Sequence, residues 1–200
     1  MAIKLATAPP DSLSALRSKV ELWQAQPAMS PAAHHVGVNF AAETGVDVQL
    51  PHPVYDVALS DLAAGKGLTN AHVTAWRYLL NDGATTAMAE VTAPKAAQPH
   101  TLSMINRGPF ISSLVHTVDA AENDATLAGN YEVATINIPG LYVVALWLRA
   151  QPPGQSVVIP LDPAPPQLIA GQKYTEAQFA DALAPAAKQV IDASGPALAG

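Results

Sequence analysis

Cysteine is absent from this chain of 200 residues. That excludes disulfides, thiolate nucleophiles, cysteine-based zinc sites and iron–sulfur clusters together. Charge is also scarce. Asp, Glu, Lys and Arg make up 13% of the residues, against roughly 25% in ordinary soluble domains. The ten Lys and Arg are scattered and outnumbered by sixteen Asp and Glu, for a net charge of −6. Without a basic stripe, nucleic-acid binding by phosphate neutralisation is not expected. The longest apolar run, Leu141 to Leu148, has eight residues, whereas a membrane-spanning helix needs about 20, so no membrane span is expected. The first ten residues hold no apolar stretch long enough for a signal peptide, and a cytoplasmic location is the expectation.

Several chemistry-bearing motifs are missing too. Ala64-Gly65-Lys66-Gly67-Leu68-Thr69 contains a Gly-Lys pair but lacks the earlier Gly and the following Ser or Thr of a phosphate loop. No G-x-G-x-x-G follows a predicted strand, and neither H-E-x-x-H nor G-x-S-x-G occurs. These absences exclude the families that carry such motifs. They do not exclude a site whose residues meet only in space.

Alanine is abundant, at 39 of 200 residues. It buries little area, so the core must come from Val, Leu, Ile, Phe, Tyr and Trp. Length alone suits one domain able to bury a core without a disulfide or a metal. The Ala and Pro enrichment suggests a bacterial genome. A surface so poor in charge favours an oligomer or a protein partner.

The strongest structural pattern runs from Tyr131 to Leu161. Tyr131–Ile138 and Leu141–Arg149 are β-rich runs meeting at Pro139-Gly140, and a Gln-Pro-Pro-Gly-Gln-Ser break leads to Val157–Leu161. Further strands are predicted at Val36–Phe40, Val46–Leu50, Pro53–Leu59, Thr85–Thr92 and Thr101–Asn106. Residues 69–80 fit either a helix or a strand. The hairpin signal Asn81-Asp82-Gly83 favours a strand from about Ala75. Helices are predicted after Asp11, with Leu13, Leu16, Val20 and Trp23 on one face, and from Pro109, with Phe110, Ile111, Leu114, Val115 and Val118 on one arc. A last helix starts at the capping box Thr175-Glu-Ala-Gln178, and Pro185 should kink or split it. The predicted whole is one α+β domain over residues 1–200, with a mainly antiparallel sheet packed on two or three helices. Residues 1–10 and 195–200 are expected to be mobile tails, and 162–173 an extended Pro-rich connector.

Three sets of residues are candidates for chemistry. Ser112, His116 and Asp119 are spaced four and three apart and fall within about 60° on one face of a helix, the residue types of a nucleophile, its base and an orienting acid. That face lies nearly opposite the apolar arc, so it reads as the solvated side. Asn106, Arg107 and Gly108 precede the same helix, and free backbone N–H groups beside an Arg make a possible anion site. His34, His35 and His52 are the candidates for a metal, although no i,i+4 His pair is present and the reading of the site is that it holds none. Tyr142, Trp147 and Trp76 read as core aromatics. No cofactor is expected.

The function read from these features is a non-catalytic binding or assembly protein, an accessory that forms an oligomer or holds a protein partner. The alternative is an enzyme or carrier for a small molecule with its pocket on an open antiparallel sheet. A deep pocket in which His and Arg or Asp converge would favour the second reading, and an apolar patch or a sheet edge the first.

Overall fold

The structure is a computed structural model that describes residues 2–24, 46–81, 86–92, 98–151 and 154–194. In chain order its elements are β1 (Ala2–Lys4), α1 (Pro10–Gln24), β2 (Asp47–Asp56), α2 (Leu59–Ala63), β3 (His72–Asn81), β4 (Thr86–Thr92), β5 (Thr101–Asn106), α3 (Pro109–Glu122), β6 (Asn130–Ile138), a 3-10 turn (Pro139–Leu141), β7 (Val143–Ala150), β8 (Val157–Pro160) and α4 (Glu176–Ser194). The strands form one sheet in the order β5-β4-β3-β2-β6-β7-β8, with β1 beside β6. The class is α+β, as expected, and the sheet is mostly antiparallel. Two pairings are parallel: β1 lies on Asn130–Glu132 of β6, and β2 on Thr135–Asn137 of the same strand.

Within the tail expected over residues 1–10, residues 2–4 instead form a paired strand. Ile3 pairs with Tyr131 and packs beside the cluster that holds Tyr131, Val133 and Leu148, and that burial fixes the segment. The two strands predicted at 46–50 and 53–59 are one strand, β2, which passes through Pro51-His52-Pro53. Its prolines fall where only β3 pairs with it, since β6 joins β2 from Val54 onward. A residue with no N–H is tolerated there. The pairing slips between Gln49 and His52, and Leu50 takes a left-handed conformation with φ 50°, the geometry of a bulge.

The stretch 69–80 is strand from His72, as the hairpin signal implied, and it pairs with β4 in unbroken register from Ala75–Thr92 to Asn81–Thr86. The Asp82-Gly83 turn and the strand predicted at 36–40 lie outside the described residues. Pro139-Gly140 is not a two-residue hairpin turn. It begins a 3-10 turn closed by Tyr142 at φ 53°, and a Cβ on Gly140 would sit 2.7 Å from Leu59 of α2, so only glycine fits without a shift. Tyr142 is the most exposed large hydrophobic side chain among the described residues, unlike Trp147, which is buried. Asp162–Lys173 is not extended but folds through successive turns, with Gly171 N–H bonding the Pro160 carbonyl at 2.9 Å.

Alternation along β6 sorts the helices between the two faces. Ala134, Ile136 and Ile138 pack with Phe179 and Leu183 of α4, while Tyr131 and Val133 pack with Leu114 and Val118 of α3. Val54 is cross-paired with both Thr135 and Ala75, which places Tyr78 and Leu80 on the α4 face, where Leu16 and Val20 of α1 cover them. So α1 and α4 share one face and α3 lies on the other. Neither face is left open along its whole length.

The capping box forms as predicted. Thr175 N–H donates to Gln178 Oε1 at 2.9 Å, and Gln178 N–H donates to Thr175 Oγ1 at 3.1 Å. The helix that follows is continuous through Pro185, so it is not split. Thr175→Ala is expected to cost about 1 kcal/mol through loss of the cap, read as a lower thermal midpoint with unchanged helical circular dichroism.

Candidate functional site

A small cavity lies on the α3 face, where the first turns of α3 cross β3–β5. Its volume is about 60 Å³, and its lining joins the polar Arg77, Glu90, Asn106 and Thr135 to the apolar Met88, Met104, Phe110, Ile111, Leu114, Val144 and Leu161. The sheet register assembles it. Arg77 sits opposite Glu90 across β3 and β4, and Arg77 Nε donates to Glu90 Oε2 at 2.9 Å. Their side chains are only 13% and 19% exposed, so this is a mostly buried pair. Ser103 Oγ donates to the Glu90 carbonyl at 2.9 Å. No other polar contact of Arg77 is found among the described residues, so both Nη groups are without a partner among them. Thr135 Oγ1 is fully buried and likewise has no partner among the described residues.

His52 stands directly opposite Arg77 in β2. Its Nδ1 lies 2.7 Å from the Leu50 carbonyl, which can only accept, so Nδ1 carries the proton. Nε2 is buried without a partner. Burial is the main reason that its pKa falls from 6.5 to about 4, and the Arg77 charge lowers it further. The bulge at Leu50 accounts for the geometry, because it turns that carbonyl back toward the ring two residues on.

A second depression, an open groove of about 510 Å³, runs between α3 and the turns at 159–173. Ser112, Ser113, His116 and Thr117 form one wall, and Asp162, Ala170, Gly171 and Lys173 the other. The walls are tied together. Asp162 N–H donates to Ser113 Oγ at 2.8 Å, and Lys173 Nζ meets both Asp124 Oδ2 and Thr126 Oγ1 at 2.6 Å. The Lys173 bond, with help from Thr126, holds the Asp124 carboxyl down at about pKa 2.

Of the residues singled out in the sequence, Ser112 and His116 line this groove, Asp119 does not, and no hydrogen bond joins the three. All three are exposed, on the solvated side of α3. Of the expected anion set, Asn106 lines the cavity, while Arg107 and Gly108 are exposed and outside its lining. The guanidinium at the cavity belongs to Arg77. His34 and His35 lie outside the described residues. His52 is buried within the sheet, and no group of three or more His, Cys, Asp or Glu side chains suited to a metal occurs among the described residues. Among those residues, no helix is long and apolar enough to cross a membrane.

Sequence reasoning missed Arg77, Glu90 and Thr135. A partial signal existed for two of them. A hairpin centred on Asp82-Gly83 brings Arg77 near Glu90 but pairs it with Met88, two residues short of the partner that the register gives it. Thr135 had none, because a threonine in a β-rich run looks the same whether or not its hydroxyl is satisfied.

The chain matches no protein-family model, no curated protein and no solved structure.

Proposed function

We propose that this chain is a non-catalytic assembly protein that pairs with a second copy of itself along β5. The observation that carries the reading is the contrast between the two ends of the sheet. At one end β8 has four residues, ends in Pro160, and is bridged on its outer side by Tyr174, whose N–H and carbonyl each bond Val158 at 2.9 Å. That edge is guarded. At the other end, no strand among the described residues pairs with the outer side of β5. Its sequence Thr-Leu-Ser-Met-Ile-Asn carries no charge and no proline, the residues that normally protect an edge. Met104 is 40% exposed there.

A second copy is the occupant that the charge pattern favours. Each chain carries −6 overall, yet an uncharged strand meets its own image across a two-fold axis without like-charge repulsion. The pairing with β4 skips Ser103, so the strand is bulged at its middle and offers two short ladders, not one long one. The dimer is accordingly expected to be weak and concentration-dependent. Sedimentation velocity from micromolar to near-millimolar protein tests this. A shift from monomer to dimer that disappears in the variant Thr101→Lys, Met104→Lys supports the reading. A monomer throughout, or a dimer that the two lysines leave unchanged, overturns it.

A further inference from the structure

We infer that the cavity beneath the first turns of α3 is a binding site for a short-chain monocarboxylic acid, of the size of acetate or propionate. The volume of about 60 Å³ is on the order of two water molecules' share of liquid, which sets the scale of the ligand. Its lining offers two kinds of contact. Phe110, Leu114, Val144 and Leu161 offer an aliphatic tail an apolar bed, and Met88 can adapt to its shape. Its free donors are the Nη groups of Arg77 and the Thr135 hydroxyl, while Asn106, across β4 from Arg77 on the side away from Thr135, gives its amide to Met104 Sδ at 3.4 Å.

The Thr135 hydroxyl points to a ligand independently of the guanidinium. It is fully buried, is among the residues that line the cavity, and bonds nothing among the described residues. A buried hydroxyl left in that state costs free energy that a packed valine would not, so its retention calls for a partner that enters the cavity. The Nη groups of Arg77 make the same point. Glu90 engages Nε alone, so the forked face of the guanidinium stays free for a carboxylate. Glu90 is itself an anion in this lining, but Arg77 Nε neutralises it and Ser103 Oγ lies 3.4 Å from its Oε1. The cavity also meets α3 at its start, where Phe110 and Ile111 line it and the helix dipole favours negative charge. Met104 and Asn106 of β5 border this cavity, but the contacts proposed here are made by Arg77 and Thr135, which lie on other strands than the β5 edge.

The test is a titration of the full chain followed by amide NMR, with acetate, propionate and neutral propionamide as the probes. Saturable shifts at Thr135, Phe110 and Ile111 with the acids, and weaker ones with the amide, are expected. Thr135→Val should weaken propionate binding about tenfold or more, the scale of a hydrogen bond to a charged group, while its thermal midpoint stays level or rises. A variant that merely disturbed the packing would lower both. Arg77→Met combined with Glu90→Leu, which removes the pair without stranding a charge, should abolish binding in a folded protein. No saturable shift with either acid in wild-type protein overturns the inference. So does equal binding of propionamide, or propionate binding that Thr135→Val leaves unchanged.

Discussion

Arg77→Met is expected to lower the unfolding free energy by about 3 kcal/mol, the lower end of what breaking a buried ion pair costs. The lost Nε–Oε2 bond of 2.9 Å is the smaller part of the effect. The larger part is the Glu90 carboxylate left behind with 19% exposure, short of water and without its cation. The partial exposure of both groups keeps the loss from being larger, since solvent screens what it reaches. The double variant Arg77→Met, Glu90→Leu removes both charges and fills the space with apolar atoms, so it should recover most of the loss. Urea unfolding of the two singles and the double closes the cycle. A single-variant cost under about 1 kcal/mol would mean that the pair is effectively solvated, against its position in the sheet.

Acid should destabilise the fold through His52 well before the carboxylates respond. The ring is held at about pKa 4 in the folded chain against 6.5 for the free side chain. Because the folded value is depressed, the unfolded state binds the proton more readily. The contribution of neutral His52 is complete above pH 6.5 and is lost as the pH falls toward 4. At about 1.36 kcal/mol per pH unit, the loss across that window is about 3 kcal/mol. Asp124, held at about 2 by Lys173, acts in a lower window: its stabilisation is present above 3.8 and is lost as the pH falls toward 2. Asp11 and Asp61, also lowered, by bonds from His100 and Lys66, act below 3.8 as well. His52→Gln should therefore flatten stability between pH 6.5 and 4 and leave the steeper loss below pH 4 intact. Parallel stability curves for variant and wild type from pH 7 to pH 4 would show that the ring is protonated within the fold.

Elements with a strong local signature were legible in the sequence, and their physics is local. The box at Thr175 and Gln178 satisfies backbone donors within a single turn. The Pro109 start and the arc Ile111, Leu114, Val118 follow from helix geometry alone, and all three of those side chains are buried under α3. The hairpin signal favoured a strand from about Ala75, and the strand that forms, His72–Asn81, contains it, because β4 lies close in sequence. Errors arose where a distant partner decided. Nothing within residues 1–10 reveals that β6, more than a hundred residues on, offers its edge to Ala2–Lys4. Likewise Pro51 and Pro53 read as breaks until β3 and β6 show that one side of the strand needs no donor there.

The candidate sites divide in the same way. Ser112, His116 and Asp119 were placed correctly on one solvated helix face, since spacing settles direction on a helix. Arg107 drew attention as the cation beside the α3 start, yet Arg77 reaches the cavity, because the β3–β4 register carries it beneath that helix. By itself the sequence determined the class of fold, the absence of cysteine chemistry, the low charge and most element boundaries, all properties of composition and short-range periodicity. Tertiary structure alone decided which face each helix covers, the parallel edge that β1 and β2 share on β6, and the burial of His52, Thr135 and the Arg77–Glu90 pair. Those depend on strand order and register, which bring residues far apart in the chain into contact at energies that no local pattern encodes.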